Sequence, residues 1–229
     1  MVLVKFSLSR LLNSNVHLSM SSRRWDNYAK SFILFKYRNF YFIDLVKTMF
    51  NLKLTSFFIT YLIKNRGNIL FIDKRDEFLV LLKFLKIETG QDYIGKHWVS
   101  GSFTNFYEFK TNKEIGRYNQ MLLKSGFYSI TRLPDAVICF SLYENFNALN
   151  EIRTLGIPSI SLIGSDLNPS GINFVIPAND ITKKSLYLIA QIFKFSILQG
   201  YKIEKIEFYF LLKKFCYLFF IKKLLEINY

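Results

Sequence analysis

The chain has 229 residues, of which 51% are hydrophobic and 21% are charged, and its formal net charge is +14. This length fits one large domain or two small ones, and the apolar content excludes a chain that is disordered over most of its length. A cationic excess of this size requires an anionic partner, usually a nucleic acid or an anionic membrane surface.

The first 40 residues are the most cationic block of the chain. Asp26 is their one acidic residue, and aromatic residues such as Trp25 alternate with the basic ones. This mixture suits contacts with phosphates and stacking on unpaired bases, although a solvated arm has the same composition. Residues 1–15 fit either the relic of an organelle-targeting segment or a basic tail. The basic residues of the block are Lys5, Arg10, Arg23, Arg24, Lys30, Lys36 and Arg38.

The first long helix is predicted over residues 44–65, because Asp44 is a suitable N-cap for the apolar pattern that follows it. Residues 68–72 then predict a buried strand, and Lys74 and Arg75 come directly after its end. Doubly wound sheets bind their ligands at the carboxyl ends of their strands. At this edge the sequence therefore offers two cations.

A second helix is predicted over residues 76–87. The segment 93–106 follows it and contains Lys96 and His97 beside a tryptophan. A single histidine in such a place is more often a loop or core residue than a catalytic base. A short helical excursion is predicted over residues 104–124.

Residues 133–180 predict a strand, a helix, a strand, a loop, a further strand and the cap of another helix. The short apolar runs at residues 136–140 and 157–163 are typical of strands that are covered on both faces. The helix between them ends near Gly156. Two such strands joined by one helix imply a right-handed crossover in an α/β domain. The apolar stripe of the helix consists of Phe146, Leu149, Ile152 and Leu155.

The next helix is expected to have Asn179 or Asp180 as its cap and to stop at Gly200. Lys183 and Lys184 lie in its first turn, where cations oppose the helix dipole, so either an external phosphate or solvent has to compensate them. Its predicted apolar stripe is Leu186, Ile189, Phe193 and Ile197.

Residues 202–229 predict a separate C-terminal helix. Paired lysines at 213–214 and 222–223 divide its apolar run into pieces shorter than the roughly 20 residues that a spanning helix needs, so we expect no insertion across a membrane. The helix either docks on a neighbouring protein or RNA, or lies on a membrane surface.

The sequence contains none of the common catalytic or cofactor motifs, such as GxxxxGK[ST], GxGxxG, HExxH, GxSxG or a Cys/His cluster. Asp73, Asp135 and Asp166 flank predicted strand ends, but helix capping and loop hydrogen bonds explain them. Cys139 and Cys216 are expected to be packing residues. We therefore expect no catalytic residue, no cofactor and no metal. A nucleotide- or phosphosugar-binding α/β enzyme is the alternative.

Several of these segments resemble, in the same order, the small-subunit ribosomal protein S2 family. Residues 93–106, YIGKHWVSGSFTNF, resemble that family's Y-V-N-x-R-W-L-G-G-x-L-T-N-F. Residues 38–48 are similar to its R-N-x-x-H-I-I-D-L-x-K-T, and residues 133–180 resemble its C-terminal half. Many bacterial members carry a long helical hairpin before L-P-D, for which this chain has only residues 107–132.

The resemblance implies a flavodoxin-like three-layer α/β/α fold with about five parallel strands. It divides the chain into a basic extension (1–40), an α/β domain (41–200) and a C-terminal helix (201–229). It implies a non-catalytic structural role in the small ribosomal subunit, between its head and body. The implied partners are small-subunit rRNA, neighbouring ribosomal proteins and messenger RNA near its exit. With the basic residues above, the expected rRNA contacts are Arg23, Arg24, Lys30, Lys36, Arg38, Lys74, Arg75, Lys96, His97, Asn105, Lys183 and Lys184.

The residue usage predicts where the gene lies. Phe occurs 25 times and Tyr 14 times, whereas Gly occurs 10 times and Pro 4 times. Residues with A/T-rich codons are thus favoured, which predicts an organelle-encoded protein of the mitochondrial matrix, with the plastid as the alternative. The same bias explains much of the phenylalanine as core filling.

Overall fold

The computed structural model describes residues 7–20, 27–38, 40–111, 122, 124–165 and 168–226, and in the C-terminal helix it describes side chains up to Glu207. Several residues named in the sequence analysis lie outside these ranges, and so does the side chain of Cys216: Lys5, Arg23, Arg24, Trp25, Asp26 and Asp166. The predicted helical excursion over 104–124 is described only in part.

Within the described residues, two sheets and six α-helices have bounds that can be given. The strands are β1 (Leu18–Met20), β2 (Ile33–Tyr37), β3 (Phe40–Ile43), β4 (Ile69–Asp73), β5 (Asp92–Gly95), β6 (Ala136–Cys139), β7 (Ser159–Ile163) and β8 (Phe174–Pro177). The helices are α1 (Leu8–Asn13), α2 (Leu45–Lys64), α3 (Leu79–Thr89), α4 (Phe106–Thr111), α5 (Phe146–Thr154) and α6 (Lys183–Glu226). A small antiparallel sheet has the order β1-β3-β2, and a parallel sheet has the order β5-β4-β6-β7-β8.

The parallel sheet is the middle layer of three, which confirms the predicted α/β/α architecture. Ile69 and Phe71 of β4 face one core, which α2, α3 and α6 complete. Leu70 and Ile72 face the second core, which α5 and the loops after β5 complete. Because alternate residues of one strand point to opposite faces, a strand covered on both sides has to be apolar throughout.

Helix α2 begins where the sequence predicts, since the Asp44 side chain accepts a hydrogen bond from the Val46 amide at 2.9 Å. The helix then lies along the edge strand β8. Thr48 donates its hydroxyl hydrogen to the carbonyl of Pro177 at 2.6 Å, and Asn51 donates its amide to the carbonyl of Val175 at 2.9 Å. These bonds cover an edge that would otherwise expose unpaired backbone acceptors.

The predicted end of the last core helix at Gly200 is wrong, because α6 runs without interruption from Lys183 to Glu226. A Cβ atom on Gly200 would lie 2.7 Å from Cβ of Ile63 and 3.0 Å from the carbonyl oxygen of Thr60. The glycine therefore permits close contact between α2 and α6 rather than a helix end. The separate helix predicted over 202–229 is the continuation of α6.

The predicted caps of α6 also lie too early in the chain. The carbonyl of Thr182 accepts the first helical hydrogen bond, from Leu186, so Thr182 is the N-cap. The side chain of Asn179 accepts hydrogen bonds from the amides of Ile181 and Thr182, and thereby fixes the turn that leads into the helix. The apolar stripe of α6 is confirmed as buried: Leu186, Ile189, Phe193 and Ile197.

One member of the predicted stripe of α5 is wrong, because Phe146 is exposed whereas Leu149 and Ile152 are buried. A step of three residues falls about 60° short of a full helical turn, so Phe146 and Ile152 lie about 120° apart around the axis. Ala148 occupies the remaining inward position. The predicted left-handed end of the helix at Gly156, with φ of 69°, is confirmed.

The N-terminal part of the chain is attached to the large sheet. Leu11 and Val16 are fully buried in the core under α2 and α6. The carbonyl of Val16 accepts a hydrogen bond from the Asn179 amide at 2.9 Å, and Ser19 donates to the Ser165 hydroxyl at 2.9 Å.

Among the described residues, no helix has the length and the apolar run needed to cross a membrane.

Candidate nucleic-acid interface

The hairpin of β2 and β3 presents cations and aromatic rings together. We call this hairpin, with the preceding turn from Lys30, the basic hairpin. Lys30, Lys36 and Arg38 are all exposed. The ammonium of Lys36 lies 5.5 Å from the centre of the Tyr41 ring, and the guanidinium of Arg38 lies 5.4 Å from that of Tyr37.

Large apolar side chains on this hairpin are also exposed, although such side chains normally seek the core. Phe35 is 53% exposed and stacks on Phe42 with 4.6 Å between ring centres. Tyr37 and Phe40 pair across the strands and are also exposed. Exposed rings beside cations provide the stacking and charge contacts that bind unpaired nucleotides.

The two cations that follow β4 have different environments. Arg75 turns inward: its guanidinium contacts the buried Asp73 carboxylate through Nε at 3.0 Å and Nη2 at 2.6 Å. It also donates to the carbonyl of Asp180 and lies 4.2 Å from the centre of the Phe78 ring. Lys74, by contrast, is exposed.

Polar side chains of the chain itself fill the carboxyl edge of the sheet beside Arg75. Ser141 donates to the Asp180 carboxylate at 2.8 Å, and Asn145 donates to the carbonyl of Ser141 at 2.8 Å. The Asn145 carbonyl oxygen in turn accepts from the amide of Lys74 at 3.1 Å. These bonds make the carboxyl edge beside Arg75 a closed hydrogen-bonded network.

Cys139 lies beside this network. Burial and the nearby Asp73 carboxylate raise the pKa of its thiol well above the usual value.

The cations Lys96 and Lys183, far apart in sequence, lie on either side of the turn after Arg75. The ammonium of Lys96 lies 3.5 Å from the Asp76 carboxylate, and that of Lys183 lies 3.6 Å from the Glu77 carboxylate. Lys184 lines a shallow depression of about 480 Å³ between α3 and α6. Glu77 thus offsets part of the unfavourable interaction between the Lys183 ammonium and the positive end of the α6 dipole.

Glu151 on α5 holds the loop between β5 and α4, a role that sequence reasoning missed. One carboxylate oxygen accepts from the Trp98 indole at 3.0 Å and the Gly101 amide at 3.1 Å. The other accepts from the amides of Phe103 at 2.8 Å and Thr104 at 2.9 Å. The one feature of the sequence that pointed to Glu151 was its position shortly before L-G-I-P, in the segment that resembles the S2 family.

The fixed loop positions two of the expected contact residues on the surface. His97 is exposed, and its amide donates to the carbonyl of Gly95 at 2.8 Å. Asn105 is exposed at the start of α4, where its carbonyl accepts from the Phe109 amide at 3.1 Å. The expected contacts thus fall into two groups along the chain, the basic hairpin and the segments that follow β4, β5 and β8.

A family model described as ribosomal protein S2 matches residues 11–128 and 123–200 of this chain. The chain belongs to the ribosomal protein S2 family. The match includes the segments on which the sequence resemblance rested. It also includes the loop held by Glu151.

Three S2-family relatives illustrate the similarity. Small ribosomal subunit protein uS2c of Euglena longa is 28% identical over 220 residues, covering 85% of this chain and 94% of that protein. The uS2 protein of Chlamydia abortus is 27% identical, covering 90% and 83%. The uS2 protein of Thermus thermophilus is 28% identical, covering 81% and 83%.

Membership of the S2 family gives the chain a structural role in the small ribosomal subunit and hence in translation. The family is non-enzymatic, so the alternative prediction of a phosphosugar or nucleotide enzyme is wrong. In this S2-family chain the segment W-V-S-G-S-F-T-N provides the indole and amide donors that surround the Glu151 carboxylate.

Proposed function

We propose that the chain binds small-subunit rRNA through the basic hairpin, and that this contact anchors it between the head and body of an organellar small subunit. Three exposed cations and neighbouring exposed rings on one hairpin carry the proposal. Lysine and arginine neutralise phosphates and release counterions, while the rings stack on unpaired bases. Arg23 and Arg24, close in sequence, are proposed to extend this surface.

A second rRNA contact is proposed near the carboxyl edge of the sheet. Its cations are Lys74, Lys96, Lys183 and Lys184, with His97 and Asn105 as hydrogen-bonding residues. Arg75 is occupied by internal partners, so we assign the RNA contact at this position to its neighbour Lys74. Neighbouring ribosomal proteins and messenger RNA near its exit complete the proposed surroundings.

We propose that the particle is mitochondrial, on the ground of the A/T-rich residue usage alone. Two similar proteins, from Euglena longa and Oltmannsiellopsis viridis, carry the name uS2c, which supports an organellar origin. Cell fractionation with an antibody against the chain tests the assignment. We expect the signal in mitochondrial small subunits, and a signal confined to plastids would contradict it.

The rRNA contact is tested by the salt dependence of binding to small subunits that lack the protein. Replacing Lys30, Lys36 and Arg38 by Gln removes three phosphate contacts. The slope of log affinity against log salt should therefore decrease in magnitude by about 2 on single-stranded and about 2.7 on duplex rRNA. Sucrose-gradient sedimentation over a range of salt concentrations measures this slope.

A matched control removes three charges elsewhere, by Lys83→Gln, Lys202→Gln and Lys205→Gln. These lysines are exposed on α3 and α6 and belong to neither proposed contact. The control should keep the wild-type slope. An unchanged slope in the hairpin variant would remove the basic hairpin from the interface.

A further inference from the structure

The outer face of α2 is as apolar as its buried face. Leu52, Ile59 and Ile63 on the inner face are fully buried. On the opposite side, five large apolar residues are between 47% and 67% exposed. We call these five the α2 stripe: Val46, Phe50, Leu54, Phe57 and Tyr61.

The spacing of the α2 stripe matches the surface on which a second helix packs. Successive members are separated by four, four, three and four residues. At about 100° per residue they fall within an arc of about 80°, and they extend along about 22 Å of the helix. A stripe built from spacings of three and four residues is the geometry in which side chains of one helix insert between those of another.

A helix that is apolar on both faces is normally covered on both faces. Exposed apolar patches of this kind mark interaction sites. The stripe is also held in place before any partner arrives, because Thr48 and Asn51 fix α2 to β8 and Thr60 donates to the carbonyl of Ser196 at 3.1 Å. A rigid surface loses little conformational entropy when it binds.

The charges beside the stripe specify the partner. Helix α2 contains no acidic residue. Lys53 and Lys64 lie along one side of the stripe and Lys47 along the other, as the helical angle of about 100° per residue requires. Lys64 pairs with Glu207 at 2.8 Å and Lys47 lies 3.8 Å from Asp44, whereas Lys53 is exposed. The flank that carries Lys53 therefore favours aspartate or glutamate on the facing surface.

We propose that the α2 stripe is the docking site for an amphipathic, acid-flanked helix of a neighbouring small-subunit protein. This goes beyond the proposed rRNA contact, which uses the basic hairpin and the carboxyl edge of the sheet. The partner helix places apolar side chains between Phe50, Leu54 and Phe57, and its carboxylates lie beside Lys53.

A photo-crosslinker tests which molecule lies on the stripe. The full chain with benzoylphenylalanine in place of Phe57 is assembled into small subunits and irradiated. We expect a crosslink to a protein peptide that has an acid-flanked apolar stripe. A crosslink to rRNA, to lipid or to another part of the same chain would overturn the proposal, and so would no crosslink. The same crosslinker at Ile87, an exposed apolar position on α3 outside both proposed contacts, is the control and should give no crosslink to that peptide.

Paired variants measure the contribution of the stripe separately from that of the phosphate contacts. At about 1 M salt the Debye length is only about 3 Å, so retention on the subunit then depends mainly on apolar contacts. We expect Phe50→Gln with Phe57→Gln to reduce retention by about tenfold or more. The matched control, Ile87→Gln with Phe195→Gln, changes two exposed apolar residues outside α2 and outside both proposed rRNA contacts, and should keep wild-type retention.

The outcomes of the two approaches are independent. The stripe variant should keep the wild-type salt slope at lower salt, since no phosphate contact is removed, and its urea unfolding midpoint should match that of the control. Equal retention of both variants, or release of the wild-type chain as readily as the stripe variant, overturns the docking proposal and leaves the rRNA contact standing.

Discussion

Two charged side chains, Glu151 on α5 and Arg75 after β4, are held by partners within the protein. Glu151 gathers an indole and three amides, and Arg75 binds the buried carboxylate of Asp73. Hydrogen bonds to a charged group stabilise more than neutral ones, and leaving such a group without its partners is costly. At the scale of single residues these two side chains should therefore matter most for stability.

Glu151→Gln should lower the free energy of unfolding by about 2–3 kcal/mol. The substitution replaces one accepting oxygen by a donating amide, which then faces amide donors of the 98–104 loop. Urea denaturation followed by tryptophan fluorescence measures the change, and Trp98 is itself a reporter for the loop. The control is Glu144→Gln, seven positions earlier in the chain. Glu144 makes no hydrogen bond among the described residues, so this substitution should change the free energy of unfolding by less than about 0.5 kcal/mol.

Arg75→Met should lower the free energy of unfolding by about 3 kcal/mol, because it leaves the carboxylate of Asp73 buried without its cation. The adjacent substitution Lys74→Met changes an exposed side chain and should stay within about 0.5 kcal/mol. Chemical denaturation of both variants provides the comparison. Equal stability of the two would mean that Arg75 has no structural role, and would return it to the proposed RNA contacts.

At the scale of elements, the contact between α2 and α6 depends on one glycine. The two helices run side by side, with Thr60 bonded to Ser196 and Ile63 against Gly200. A glycine inside a helix reduces its intrinsic stability by about 1 kcal/mol relative to alanine. The close approach of the two backbones offsets this cost.

Gly200→Ala should therefore destabilise the protein by about 1–3 kcal/mol, even though alanine favours the helix. The new methyl group would lie within 3 Å of Ile63, and the helices would have to separate. Thermal unfolding followed by circular dichroism measures the effect. Lys202→Ala, an exposed position one half-turn further on, should raise the melting temperature slightly or leave it unchanged, and a stabilised Gly200→Ala variant would disprove the close contact.

Sequence patterns were sufficient to predict most helices and strands. They were insufficient where contacts between distant segments determine the role of a residue. The apolar strands and the Asp44 cap are local features, so β4, β6, β7 and the start of α2 were predicted within one or two residues. Gly200 has the same local signature as a helix end, and only the neighbouring Ile63 distinguishes the two cases. Glu151 is an ordinary surface-type residue until the loop from a distant segment reaches it.

At the scale of the whole molecule, Cys139 reports on the integrity of both cores. It lies in β6, the middle strand of the parallel sheet, and is fully buried. Burial raises the pKa of its thiol, so the reactive thiolate is scarce in the folded protein even at mildly alkaline pH.

In a Cys216→Ser variant, alkylation of Cys139 by iodoacetamide at about pH 8 should be at least about a thousandfold slower than in the urea-unfolded chain. Only opening of the central sheet exposes this sulfur, so its labelling rate follows global unfolding. Mass spectrometry of timed samples measures the rate. Rapid labelling of the folded protein would show that β6 is not protected by the two layers.

The bonds from α2 to β8 and α6 have a consequence for the newborn polypeptide. Thr48 and Thr60 belong to the first third of the chain, but their acceptors, on Pro177 and Ser196, are synthesised 129 and 136 residues later. At about 5–20 residues per second, this helix leaves the peptide tunnel on the order of ten seconds before the surfaces that cover it exist. During that interval both apolar faces of α2 are exposed to solvent, so we expect the nascent chain to bind a chaperone until the segments around Pro177 and Ser196 have emerged.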